Sequence, residues 1–164
     1  MKDSDKIIAI DPGYDRLGWA VGRKIANQWQ DLRFGCVQTD KSASLMQRYS
    51  QIIRELEEVM DAEQPTQAAL ESLFWFKNKT TALHVSEARG VALGVFLRHG
   101  LHIAEYTPLQ IKQSLTGYGR ADKKAVEKMV RSELLLPGKI IDDTIDALAI
   151  MICHQASFRL KMLT

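Results

Sequence analysis

Short apolar runs that end abruptly on turn residues or carboxylates constrain this chain more than any other feature. Lys6 to Ile10 (K-I-I-A-I) is β-branched, strand-length and cut off by Asp11-Pro12-Gly13. Leu17 to Val21 resumes an extended pattern, so the two runs read as a hairpin around a Pro-Gly turn. Leu32 to Val37 adds a third strand to the meander. Leu45, Tyr49, Ile52, Ile53, Leu56 and Met60 then fall at helical spacing, with Ser42 or Ser44 available as the cap, until Pro65 breaks the pattern. Gln67 to Glu71 reads as a fourth, buried strand and His102 to Tyr106 as a fifth. Helices are expected over 80–97, 108–115, 122–135 and 141–158. In the first of these, Gly90 and Gly94 each weaken the helix by about 1 kcal/mol against alanine, so close packing on another element is the expected compensation. The last has Ile141, Ile145, Leu148 and Ile152 on one stripe and Ile150 opposite, which predicts burial nearly all round beyond its acidic first turns. A meander followed by strands alternating with helices gives an α/β fold with a mixed sheet, whose chemistry belongs at the strand ends.

With 164 residues, 46% of them hydrophobic, the chain has material for one core, so residues 1–164 read as a single domain. The two cysteines, Cys36 and Cys153, lie far apart without a C-x-x-C companion, which excludes a zinc site or disulfide framework and suggests buried free thiols. The start is polar and no run approaches the roughly 18 to 20 apolar residues of a membrane span, so a soluble, cytoplasmic protein with no membrane partner is expected. A formal net charge of +2 announces no partner by itself. Its distribution is more informative: between residues 74 and 139, eleven Lys and Arg stand against five Asp and Glu, flanked by acidic clusters. That layout suits a polyanion held next to metal ions.

Three acidic features carry the chemistry. Asp11 is posed at a strand end by the following proline, although Asp also favours ordinary turns. Glu71 ends an apolar strand, where it is either solvated or in need of a cation. In I-D-D-T-I-D-A-L-A (141–149), Asp143 and Asp146 stand at i and i+3, their Cβ atoms about 5 to 6 Å apart on one helix face. Such a pair can share one divalent ion or bracket two. Asp142 and Asp143 also suit a helix N-terminus without any ligand. An oxygen-only set favours Mg²⁺ or Mn²⁺ over zinc, and the three features together make a two-metal phosphodiester site plausible.

Six stretches in order, I-D-P-G (10–13), A-L-E-S-L-F (69–74), F-K-N (76–78), E-A-R-G-V-A (87–92), I-K-Q (111–113) and D-x-x-D-A-L-A (143–149), resemble the RuvC family of bacterial Holliday junction resolvases over nearly the whole chain. The resemblance implies a ribonuclease H-like fold, a five-stranded mixed sheet with helices on both faces. It also implies a homodimer that cuts four-way DNA junctions with two Mg²⁺ per site, Mn²⁺ being a substitute, in recombination and repair. Asp11, Glu71, Asp143 and Asp146 become the metal-binding catalytic carboxylates, with Asp142 an extra acid beside the matched pair. Phe74 becomes the aromatic that engages the junction, with Trp75 and Phe76 as neighbours and Lys77 following. Lys112 and Lys123 match lysines near the scissile strand; Arg120 and Lys124 are further candidate DNA contacts without such a match. The small-residue helix over 80–97 is the candidate dimer interface, and the branch-migration proteins RuvA and RuvB are the partners suggested. Two rivals remain: a YqgF-like nuclease acting on structured RNA, and a junction-binding module without catalysis.

Overall fold

The computed structural model describes residues 5–72, 79–136 and 138–162. Strand β1 (Ile7–Asp11) lies between β2 (Arg16–Ile25), antiparallel to it, and β4 (Gln67–Glu71), parallel to it. Outside these run β3 (Gln28–Gln38), antiparallel to β2, and β5 (His102–Tyr106), parallel to β4, giving the order β3-β2-β1-β4-β5. Helix α1 (Leu45–Glu63) precedes β4 and α2 (Lys79–Arg98) precedes β5; α3 (Pro108–Thr116), α4 (Lys123–Leu134) and α5 (Asp142–Met162) follow. This is the five-stranded mixed sheet expected, in ribonuclease H-like order.

Period-2 alternation in β1 divides the core. Ile8 and Ile10 point with Leu17, Val21, Val37, Ala68 and Leu70 toward α1 and α2. Ile7 and Ala9 point with Ala20 and Ala69 toward α3, α4 and α5. Helices therefore cover both faces, and α5 is buried from Ala147 through Cys153 as its pattern predicts.

Several local expectations are corrected. The β2–β3 hairpin is longer than the apolar runs, because its outer rungs pair polar residues such as Arg23 with Gln30 across a turn in which Ala26 and Asn27 take positive φ. Ser44, not Ser42, caps α1, in a reciprocal capping box with Gln47. Ile141 lies just ahead of α5 and is exposed, and Cys36 is half-buried on the partly open β3, whereas Cys153 is buried. Gly90 and Gly94 do not pack closely on another element: a Cβ at either would meet nothing within 4 Å. Among the described residues no helix is long and apolar enough to cross a membrane.

Candidate active site

The last residue of β1 is Asp11, and its parallel neighbour β4 ends on Glu71 one residue beyond the Ile10–Leu70 pair. Adjacent strands lie about 4.8 Å apart, so the two acids emerge side by side at one sheet edge. The other two acids arrive on α5, and small residues let them in. The sheet face beneath α5 offers Ala9, Ala20 and Ala69, whereas the opposite face is built largely from Ile, Leu and Val. Gly18 is the tightest point. It pairs with Asp11 across β1–β2, and a Cβ there would collide with the Asp143 carbonyl and come within 2.8 Å of the Thr144 nitrogen. The Thr144 hydroxyl donates to the Gly35 carbonyl at 3.0 Å, tying the first turn of α5 to β3.

Electrostatically the acids form one group. Burial, followed by repulsion from Asp146, Glu71 and Asp143, pushes Asp11 up to about 7, with Lys123 pulling the other way. Burial and the Asp146 charge raise Glu71, against the pull of Lys112. Asp146 is also raised, burial outweighing its hydrogen bond from Lys123. Of the two adjacent aspartates, Asp143 is the enclosed one, its side chain 20% exposed against 71% for Asp142. The Asp143 Oδ2 atom is buried without a hydrogen-bond partner, its nearest cation being Arg16 with Nε at 3.0 Å.

Lys112 and Lys123 line a cavity of about 290 Å³ with Glu71, Asp146 and Pro108. Lys123 Nζ sits 3.0 Å from Asp146 and 3.6 Å from Asp142. Arg120 and Lys124 are exposed and do not line this cavity. Phe74 and Lys77 lie outside the described residues. A groove of about 590 Å³ flanks the acids on the β2–β3 side and contains Arg16, Lys41 and Asp143. Arg16 and Gly18 carry no signal in the motifs. A glycine inside a strand is the general mark of close backbone approach, and Gly18 fits it.

A second acidic group lies elsewhere. Glu57, Asp61 and His99 bring their ligand atoms within 4.8 Å of one another, the only such group of three among the described residues. Glu57 is already answered by Arg98 at 2.9 Å and His99 at 2.5 Å. The strand-end acids are more widely spread, with Asp143 and Asp146 paired to Arg16 and Lys123, and their oxygen-only donors, partly buried and mutually repelling, fit divalent cations.

The sequence profile described as "Crossover junction endodeoxyribonuclease RuvC" matches residues 7–154. A protein of that name from Thermosipho melanesiensis is 44% identical over 150 residues, covering 90% of this chain and 95% of the relative. Another from Rubrobacter xylanophilus is 40% identical over 159 residues, covering 96% and 89%. The T. thermophilus RuvC solved in complex with a Holliday junction substrate superposes with a TM-score of 0.89 at 31% identity, covering 96% of both chains.

Proposed function

The chain belongs to the RuvC family of crossover junction endodeoxyribonucleases, and from that premise we propose that it resolves four-way DNA junctions by paired symmetric nicks in recombination and repair. One observation carries the reading: Asp11, Glu71, Asp143 and Asp146 gather as partly buried, mutually repelling carboxylates at one sheet edge, with Lys112 and Lys123 beside them.

Asp11, Glu71, Asp143 and Asp146 hold two Mg²⁺ ions, for which Mn²⁺ can substitute. Four carboxylates drawn from two strand ends and a helix would offer enough oxygen donors for two such ions. When bound, the ions activate a water and stabilise the leaving oxygen of an in-line displacement. Asp143 rather than Asp142 is the ligand on α5, because it is the enclosed one and its charge reaches Asp11. Lys112 and Lys123 hold non-bridging oxygens of the scissile phosphate and orient it, Lys123 exchanging its Asp146 contact for the phosphate. Arg120 and Lys124 are outlying phosphate contacts. Phe74 and Lys77 engage the opened junction, the ring by stacking or wedging. The products carry 5′-phosphate and 3′-hydroxyl ends.

One acid cluster makes one cut, so two symmetric cuts require two chains. On α2, Ala88, Ala92, Val95 and Phe96 face the sheet, while Leu83, Gly90, Gly94 and Leu97 recur at intervals of seven, four and three. Leu83 is 64% and Leu97 66% exposed, and the glycines between them are open. This stripe is the homodimer surface. RuvA and RuvB are the expected branch-migration partners, and the cytoplasm the expected compartment. The deciding experiment compares cleavage of a mobile four-way DNA junction and a structured RNA in Mg²⁺. Paired nicks in the junction alone are expected; cleavage confined to RNA, or binding without cleavage, would replace this reading by one of its rivals. In the same assay Phe74→Ala should slow junction cutting.

A further inference from the structure

The groove on the β2–β3 side has a rigid floor. Arg48, buried on α1, donates to the Thr39 hydroxyl at 2.8 Å and to the Tyr14 carbonyl at 3.0 Å, pairs with Asp15, and lies over the Tyr14 ring at 4.8 Å. Asp15, the groove's own acid, is thereby neutralised from below, with Lys41 3.6 Å away on the other side. With Arg48 answering Asp15 and Arg16 answering Asp143, the cation left over in the groove is Lys41, and Arg16 joins it once Asp143 is answered by another cation. The cavity with Lys112 and Lys123 opens on the β4–β5 side of the carboxylates and this groove on the β2–β3 side. A strand with its scissile phosphate at the acids must continue past them in both directions, and only the first direction has been assigned cations.

Arg16 is unlike Lys41. Its side chain is 52% exposed, yet its Nε is committed to the enclosed Oδ2 of Asp143. A divalent ion held by Asp143 would replace Arg16 as that carboxylate's counter-charge and would leave the guanidinium without its partner, in a groove open to solvent.

We propose that this groove is a second path for the DNA strand and that Arg16 has two positions in it: counter-ion to Asp143 without metal, and contact to a backbone phosphate beside the cut when metal is bound. The inference rests on the metal-dependent nuclease reading above. Because linkage is reciprocal, one residue then couples the two ligands: metal releases Arg16 for DNA, and Arg16 opposes metal in the absence of DNA. Lys41, tied to no metal ligand, contributes to DNA binding equally in both states.

The test uses the full chain and a four-way junction, with fluorescence anisotropy in EDTA and in Ca²⁺ to hold the junction uncut, and Mn²⁺ binding followed by electron paramagnetic resonance without DNA. Arg16→Gln should weaken junction binding about five- to tenfold in Ca²⁺ and lower the salt slope by about one, with less than about a twofold change in EDTA. The same variant should bind Mn²⁺ about fivefold more tightly. Arg16→Lys should recover most of the Ca²⁺-dependent DNA affinity, and Lys41→Gln should weaken binding alike in both conditions with Mn²⁺ affinity unchanged. An equal Arg16→Gln effect with and without Ca²⁺, or no effect in Ca²⁺, or unaltered Mn²⁺ affinity, overturns the proposal while wild-type cleavage stands. Absence of Mn²⁺ binding or of junction cleavage by the wild type overturns the nuclease reading instead.

Discussion

Two groups of acids occupy this molecule, and the tighter one is not the candidate site. Glu57, Asp61 and His99 converge where the ends of α1 and α2 meet, with ligand atoms closer together than any three of the strand-end set. Glu57 is paired with Arg98 and hydrogen-bonded with His99, which ties the ends of the two helices together. Asp11, Glu71, Asp143 and Asp146 stand further apart, but three of them are pushed up by burial and by one another, even with Arg16 and Lys123 facing Asp143 and Asp146. Burial and mutual repulsion, rather than proximity, distinguish the strand-end group and make it the candidate site.

The largest expected difference between the groups is in catalysis. Asp146→Asn should lower junction nicking in Mg²⁺ by about 10³-fold or more while junction binding survives, and Glu57→Gln should leave the rate within about twofold. A gel assay of nicked junction decides; equal losses in the two variants would erase the distinction.

The next difference is in stability without metal. Asp11 titrates near 7 in the folded protein, above its ordinary 3.8, so the folded state holds that proton more firmly. The stability this confers is complete below about 4 and is lost as pH rises through about 7, at most about 4 kcal/mol by pH 8, with Glu71 and Asp146 acting in the same direction. In EDTA, the melting temperature of Asp11→Asn should exceed that of wild type at pH 8 and converge with it toward pH 5. Mg²⁺ should raise the wild type at pH 8 more than the variant, and Glu57→Gln should keep the wild-type pH response. Parallel melting curves for wild type and Asp11→Asn would contradict the account of the acids.

Gly18→Ala probes how the acids are brought together. The Asp143 carbonyl it would strike is backbone that cannot rotate away, so a loss of about 3 kcal/mol is expected, with reduced nicking as α5 is displaced. Gly90→Ala has open space and a better helix former, and should gain about 0.5 to 1 kcal/mol in a melting experiment on dilute protein. Smallest are the surface cations. Lys112→Ala and Lys123→Ala should each weaken junction binding about three- to tenfold and reduce its salt slope by about one, whereas Arg98→Ala, beside the other acidic group, should leave both unchanged.

What could be read in the sequence was local or periodic. Strand runs ending on Asp11 and Glu71, the i, i+3 pair on α5, and the alternation that fixes a mixed sheet are each contained in a few consecutive residues. The roles of Arg16, Gly18 and Arg48 were not legible because their partners are tertiary. Arg16 meets an acid on the last helix, Gly18 is required by a helix crossing above it, and Arg48 holds the turn between β1 and β2 from another element. The expectation for Gly90 and Gly94 erred for a related reason. A glycine in a helix signals that something approaches, but nothing in the pattern says that the approach comes from the chain's own sheet. Family likeness supplied roles for Lys112 and Lys123 that composition could not.

The narrow seat beneath α5 also governs timing. At about 5 to 20 residues per second, Asp11 is synthesised on the order of ten seconds before Asp146, and no arrangement of the earlier acids substitutes for the pair on that helix. A growing chain can form its meander and even touch DNA, yet it has no blade until α5 slots over Ala9, Gly18 and Ala20. A displacement of α5 would separate Asp143 and Asp146 from Asp11 and Glu71, so the four acids form one group only while α5 holds that seat.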